Sequence, residues 1–171
     1  ERPEVVVVAH PLHDDALAIE EHPLVGIEPD KETSVSFDID DIKEGRFLTD
    51  DNDTGIVIGA KMAERLETRL GKRIVIMSQD PDNNIADRGF RIVGIYKAKL
   101  ASLEETYVYA GRTTLQKLLN IENQVSEVAI SGDDYRNVDR WYPQIKQAAG
   151  ADVETLPWYK INAYLSSMMS M

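Results

Sequence analysis

Val5-Val6-Val7-Val8-Ala9 is a continuous, mostly β-branched run bounded by Pro3 and Pro11, a length and flanking pattern that predict a buried strand. From His10 to Asp53 the periodicity is weak, so this stretch reads as irregular with a short strand near Leu24 to Ile27. Within it Val35, Phe37 and Ile39 alternate with Ser36, Asp38 and Asp40, which fits either a half-buried extended segment or a short helical turn.

The pattern sharpens after Thr54. Gly55-Ile56-Val57-Ile58-Gly59 predicts a strand, and Met62, Ala63, Leu66 and Leu70 recur at helical spacing up to Gly71, a suitable C-terminal cap. Arg73 to Met77 and Phe90 to Tyr96 predict two strands of a long-looped hairpin, joined by Ser78 to Gly89 with turn chemistry at Asp80-Pro81-Asp82-Asn83-Asn84. Tyr107 to Tyr109 predicts a further strand, followed by a helix capped by Thr113 or Thr114 with Leu115, Leu118 and Leu119 on one face.

Val125 to Ile130 alternates as a strand, after which Val138, Trp141, Tyr142, Ile145 and Ala148 predict a helix ending at Gly150. Pro143 requires that helix either to start at Asp139 or to kink. Val153 to Trp158 predicts one more short strand. Ile161, Tyr164, Leu165, Met168 and Met169 then follow an i, i+3, i+4, i+7, i+8 stripe with no residue to stop it, so the final helix reads as cut in mid-course. With an opening Glu1 in place of Met, the chain reads as an excised or processed piece. Short strands interleaved with a few helices make the expected fold class α+β.

Charge changes the picture next. The 171 residues carry 30 acids against 19 Lys and Arg, a net charge of -11, which argues against nucleic-acid binding and polybasic membrane contact. The acidity is local: residues 1–54 hold 16 acids and 4 bases, and residues 55–171 hold 14 acids and 15 bases. An acidic surface from the first third could orient a partner or repel anionic headgroups. The absence of cysteine excludes disulfides, thiolate metal sites and Cys nucleophiles. No run approaches the roughly 20 apolar residues of a membrane-spanning helix.

Candidate chemistry is sparse. His10, His13 and His22 lie close to Asp14 and Asp15, and imidazole with carboxylate can ligate a divalent metal. The preferred reading is a solvated acidic loop, with a metal- or ligand-binding module using these three histidines as the alternative function. Asp50-Asp51-Asn52-Asp53 resembles the start of a calcium loop, but Ile56 occupies the position that needs glycine, so a turn is expected. Gly55 and Gly59 lack a phosphate-loop context, and no nucleophile elbow is present. No cofactor is expected.

Several segments together resemble the extracytoplasmic domain of ABC-transporter permeases of the MacB and lipoprotein-releasing (LolC/LolE, FtsX-like) type. They are Gly26 to Glu32, Ile42 to Phe47, Gly55 to Leu66, Leu70 to Ile76 and Phe90 to Tyr96, in the family's order. The resemblance implies a porter-like βαβ subdomain from residues 1–26 and 124–171, its first strand and helix missing, and an inserted β-rich, sabre-like subdomain from residues 27–123. It implies a non-catalytic periplasmic domain of a plasma-membrane protein that relays ATP-driven movement. The implied partners are a cytoplasmic ATP-binding subunit, a permease dimer partner, and a periplasmic adaptor or chaperone. In the LolC branch a chaperone-recruiting hairpin lies between the strands that match Arg73 to Met77 and Phe90 to Tyr96. Here that connection is short and rich in Asp and Asn, so general export or envelope remodelling is expected rather than lipoprotein hand-over, with Asp80, Asp82, Asn83 and Asn84 as the candidate partner-binding loop.

Overall fold

The computed structural model describes residues 4–6, 24–35, 39–125, 127–130, 132 and 134–161. Two compact units divide the chain, residues 1–130 and residues 131–171. The first is built on a six-stranded mixed sheet. Its strands are β2 (Leu24–Ile27), β3 (Ile42–Gly45), β4 (Gly55–Gly59), β5 (Arg73–Gln79), β6 (Ile85–Tyr96) and β7 (Val108–Gly111), while β1 (Glu4–Val6) pairs antiparallel with β8 (Glu127–Ala129) in a separate ladder. The main order is β2-β7-β4-β6-β3, with β5 added to β6 as a hairpin. β2 runs parallel to β7 and β4 parallel to β6, whereas β4–β7, β3–β6 and β5–β6 are antiparallel.

The strands β2, β4 and β7 are largely buried on both faces, which explains why they are nearly continuously apolar, whereas β3, β5 and the first half of β6 expose residues to solvent. Successive residues of β4 alternate between two cores: Ile56 and Ile58 join Leu24, Phe90, Ile92 and Val108, while Val57 joins Val25, Ile27, Leu48 and Tyr96. The first core is covered by α2 (Ala60–Arg65) through Met62 and Ala63, and by α4 (Arg112–Leu118) through Leu115. Each buried Ile, Phe or Met side chain contributes about 1.5–3 kcal/mol.

Several expectations are met. Leu24–Ile27, Gly55–Gly59 and Glu127–Ala129 are strands as the pattern predicts, and Glu4–Val6 is the described part of the opening valine run. Other elements differ. The stretch read as irregular contains α1 (Pro29–Val35) and β3. Proline at the first helical position and Asp30 and Glu32 in the first turn are start signals for α1, but seven residues are too few to show a period. The strands of the β5–β6 hairpin also extend through most of the predicted loop, leaving only residues 80–84 as the turn.

The helix predicted to reach Gly71 stops at Arg65. Glu67 adopts a left-handed φ of 48°, and the chain closes with Thr68 N–H donating to Ala63 C=O and Glu67 N–H to Glu64 C=O. This is a Schellman ending with a non-glycine residue in the left-handed position. Leu70 is consequently not on a helix face but 38% exposed. Glu67→Gly is expected to raise stability by about 1 kcal/mol by removing the Cβ penalty, measurable as a higher urea midpoint with unchanged slope.

A third helix of this unit, α3 (Ala101–Thr106), has no apolar period to announce it. Tertiary contacts hold it: the Tyr96 hydroxyl donates to Leu103 C=O at 2.6 Å, and buried Glu104 accepts from Ala98 N–H at 3.0 Å.

In the second unit a short 3-10 turn, Tyr135–Asn137, leads into α5 (Val138–Ala149), with Pro143 inside the helix and Gly150 ending it at φ 87°. Asp134 caps the turn by accepting from Arg136 N–H at 2.9 Å. The strand expected at Val153 to Trp158 does not form; residues 154–157 are irregular and α6 (Trp158–Ile161) begins at Trp158. Val153 and Leu156 are 55% and 47% exposed, and among the described residues no strand pairs with this segment to supply a ladder. The terminal stripe beyond Ile161, with Tyr164, Leu165, Met168 and Met169, lies outside the described residues.

Candidate functional site

Of the residues selected from sequence, His10, His13 and His22 lie outside the described residues. Among the described residues no group of three or more His, Asp or Glu side chains is arranged to hold a metal ion.

The candidate partner-binding loop sits at the tip of the β5–β6 hairpin. Asp80 organises it: its carboxylate accepts from Asp82 N–H at 3.0 Å, Asn84 N–H at 2.8 Å and the Asn84 side-chain amide at 3.0 Å. The Asn84 contacts and the Asp82 N–H hold the Asp80 carboxyl below the usual range. Asn83, at φ 62°, takes the left-handed position that a tight turn needs. The tip is thus a self-bonded turn, with residues 81–84 exposed.

The Asp50-to-Asp53 segment is a structural joint, as its turn reading anticipates. The Asp53 carboxylate accepts from Arg46 at 2.5 Å, from the N–H groups of Thr49 and Gly55 at 2.9 Å each, and from the Thr49 hydroxyl at 3.0 Å. Burial opposes its ionisation, but the Arg46 bond and the Thr49 and Gly55 N–H groups outweigh it and keep the carboxyl well below the ordinary range. Arg46, in turn, is pushed up by its hydrogen bond to Asp53.

Asp51 performs a second joining task. Its carbonyl accepts from Thr113 N–H at 2.8 Å, and its carboxylate from the Thr113 hydroxyl at 2.7 Å and Arg112 at 2.8 Å. The residue capping α4 is Gly111, without a side-chain bond, and not Thr113 or Thr114 as the pattern suggested. A segment distant in sequence supplies acceptors for first-turn N–H groups that a local cap would otherwise satisfy. Gly111 is required there because a Cβ would lie 2.6 Å from the Asp51 carbonyl oxygen. Arg112 also pairs with Glu28, which pairs with Lys31, so β2, the Asp51 segment and α4 are tied together by charge.

Beside this joint lies an open cleft of about 310 Å³ lined by Arg46, Asp53, Thr54, Gly55, Arg73, Arg88, Gly89, Arg91 and Val93. The sequence reading missed it. The arginines are spread over 46 positions of chain numbering, from 46 to 91; the β5–β6 register sets Arg73 directly opposite Arg91, and Arg46 is brought alongside by its backbone N–H donating to Val93 C=O at 2.9 Å.

In the first unit, an α+β body, the polar residues Asp51 and Asp53 mainly join segments of the chain. Residues 3–148 match the MacB-like periplasmic core domain, and the chain belongs to that family. It is therefore the extracytoplasmic, periplasmic domain of an ABC-transporter permease of the MacB/FtsX-like type, part of a membrane protein. Domains of this family are generally non-catalytic, and permeases of this type generally work with ATP-binding subunits. No curated protein matches the chain. Among the described residues no helix is long and apolar enough to cross a membrane.

Proposed function

We propose that this domain relays ATP-driven movement from the cytoplasmic side of its permease to the periplasm, in the service of export or envelope transport. ATP is hydrolysed on a separate cytoplasmic subunit or domain, and the periplasmic body opens or closes against a permease dimer partner. A periplasmic adaptor or chaperone is a further partner, for which the Asp80-to-Asn84 tip is the candidate contact. The division into a porter-like subdomain (1–26 and 124–171) and an inserted β-rich subdomain (27–123) belongs to the same proposal. The antiparallel pairing of β1 with β8 supports it, because those strands come from the two chain-end portions and form their own ladder.

Family membership is the observation that carries this reading. The physics is compatible: a relay has to move without yielding internally, and a sheet whose central strands are packed on both faces, with charged joints at Asp51 and Asp53, resists deformation. The test uses the terminal apolar stripe. Leu165→Asp in the intact permease, reconstituted in vesicles, is expected to abolish most transport while ATP hydrolysis persists. Transport at the wild-type rate in that variant would overturn the relay role.

A further inference from the structure

The arginine cleft carries a charge opposite to that of the chain. With Arg88 set aside, because its side chain lies over Phe90 on the opposite face of the sheet, three arginines and one aspartate in the lining sum to +2, in a protein of net charge -11. Asp53 is already committed to Arg46. Arg73, Arg88 and Arg91 have no carboxylate partner among the described residues. Arg91 is nonetheless oriented, donating to Gly71 C=O at 2.7 Å. Arg73 faces Arg91 across the ladder, an arrangement of like charges that costs stability and is relieved when an anion sits between them.

Gly89 is an independent observation. It lies in mid-strand opposite Val75, its backbone is not left-handed, and a Cβ there would meet nothing within 4 Å. Neither a turn nor close packing demands glycine at this position. What glycine does is keep the cleft wall open beside Arg91, on the same face of the sheet, as glycines in strand interiors do where a ligand approaches the backbone.

We infer that this cleft binds a phosphate group. One guanidinium suffices for a planar carboxylate, whereas the two guanidiniums of Arg73 and Arg91, set opposite each other on neighbouring strands, suit an anion with more charge and oxygens in three dimensions. The phosphate can belong to a soluble compound or to a phospholipid headgroup.

The test titrates the 171-residue chain with inorganic phosphate, and with acetate as the carboxylate control, by calorimetry. In parallel, cosedimentation is measured with phosphatidylglycerol vesicles and with phosphatidylcholine vesicles, whose choline cancels the headgroup charge. Saturable binding to inorganic phosphate alone assigns a soluble phosphate compound, and binding to phosphatidylglycerol vesicles alone assigns a headgroup; binding to both supports the shared chemistry. Arg73→Ala is expected to weaken binding about tenfold or more without lowering the unfolding midpoint, since it removes a like-charge pair. Gly89→Val is expected to abolish binding while preserving the fold, because valine suits a strand and meets no neighbour. Failure to bind either phosphate source, acetate binding as tight as phosphate, or affinity unchanged by Arg73→Ala would overturn the inference. The Arg73→Ala result decides the matter even where Gly89→Val does not fold.

Discussion

Asp53→Ala is expected to lower the stability of the first unit by about 3 kcal/mol near pH 7. The carboxylate side chain is only 5% exposed and satisfies two backbone N–H groups, a hydroxyl and a guanidinium. Truncation leaves the Thr49 and Gly55 N–H groups without their acceptor. Arg46, whose side chain is 48% exposed, can return to water, so the loss comes mainly from the backbone donors rather than from a stranded charge. Urea unfolding of both proteins measures the difference, and a change under about 0.5 kcal/mol, the range of ordinary surface substitutions, would refute this account.

The same pair of proteins gives a pH test. Because the folded Asp53 carboxyl titrates below its ordinary range, its contribution is complete above the unfolded value of about 3.9 and is lost as pH falls toward the folded one. The stability gap between wild type and Asp53→Ala is therefore flat from neutral pH to about pH 5 and narrows on further acidification. A gap that widens in acid would contradict the sign.

Gly59→Ala is expected to be comparably damaging, at about 3 kcal/mol or more, through overpacking against backbone. A Cβ at residue 59 would lie 2.1 Å from the Glu104 carbonyl oxygen and 2.4 Å from the Glu104 Cα. Neither is a flexible side-chain end, and α3 is already held by the Tyr96 hydroxyl bond to Leu103. Gly59 is therefore set by the close approach of α3 to the end of β4, whereas Gly89 faces open space. Thermal unfolding of Gly59→Ala and Gly89→Val should move in different directions or differ by many degrees. Equal midpoints would remove the distinction between the two glycines.

Where a segment's structure depends on residues close in sequence, the sequence reading succeeds. The apolar run between Gly55 and Gly59, the turn residues around Asp80 and the helical spacing before Gly150 each place their element correctly. It fails where a distant partner intervenes. The spacing of Leu66 and Leu70 suggested a longer helix, but the chain turns left-handed at Glu67 and is then tied to β6, with Gly71 N–H donating to Ile92 C=O and Ile92 N–H to Lys72 C=O. Helix α3 depends on the Tyr96 and Glu104 contacts. The strand expected at Val153 to Trp158 has no pairing neighbour among the described residues.

By itself, the sequence determined the α+β class, the family likeness carried by five ordered segments, and the concentration of acid in residues 1–54. Those properties are local or additive: strand and turn preferences act over a few residues, and charge is a sum. The tertiary structure decided the order β2-β7-β4-β6-β3, the burial of Asp53, the Asp51 contacts that complete the first turn of α4, and the gathering of Arg46, Arg73 and Arg91 around one cleft. Each depends on strand register and on loops closing across tens of residues, and no pattern along the chain encodes which residue will stand opposite which.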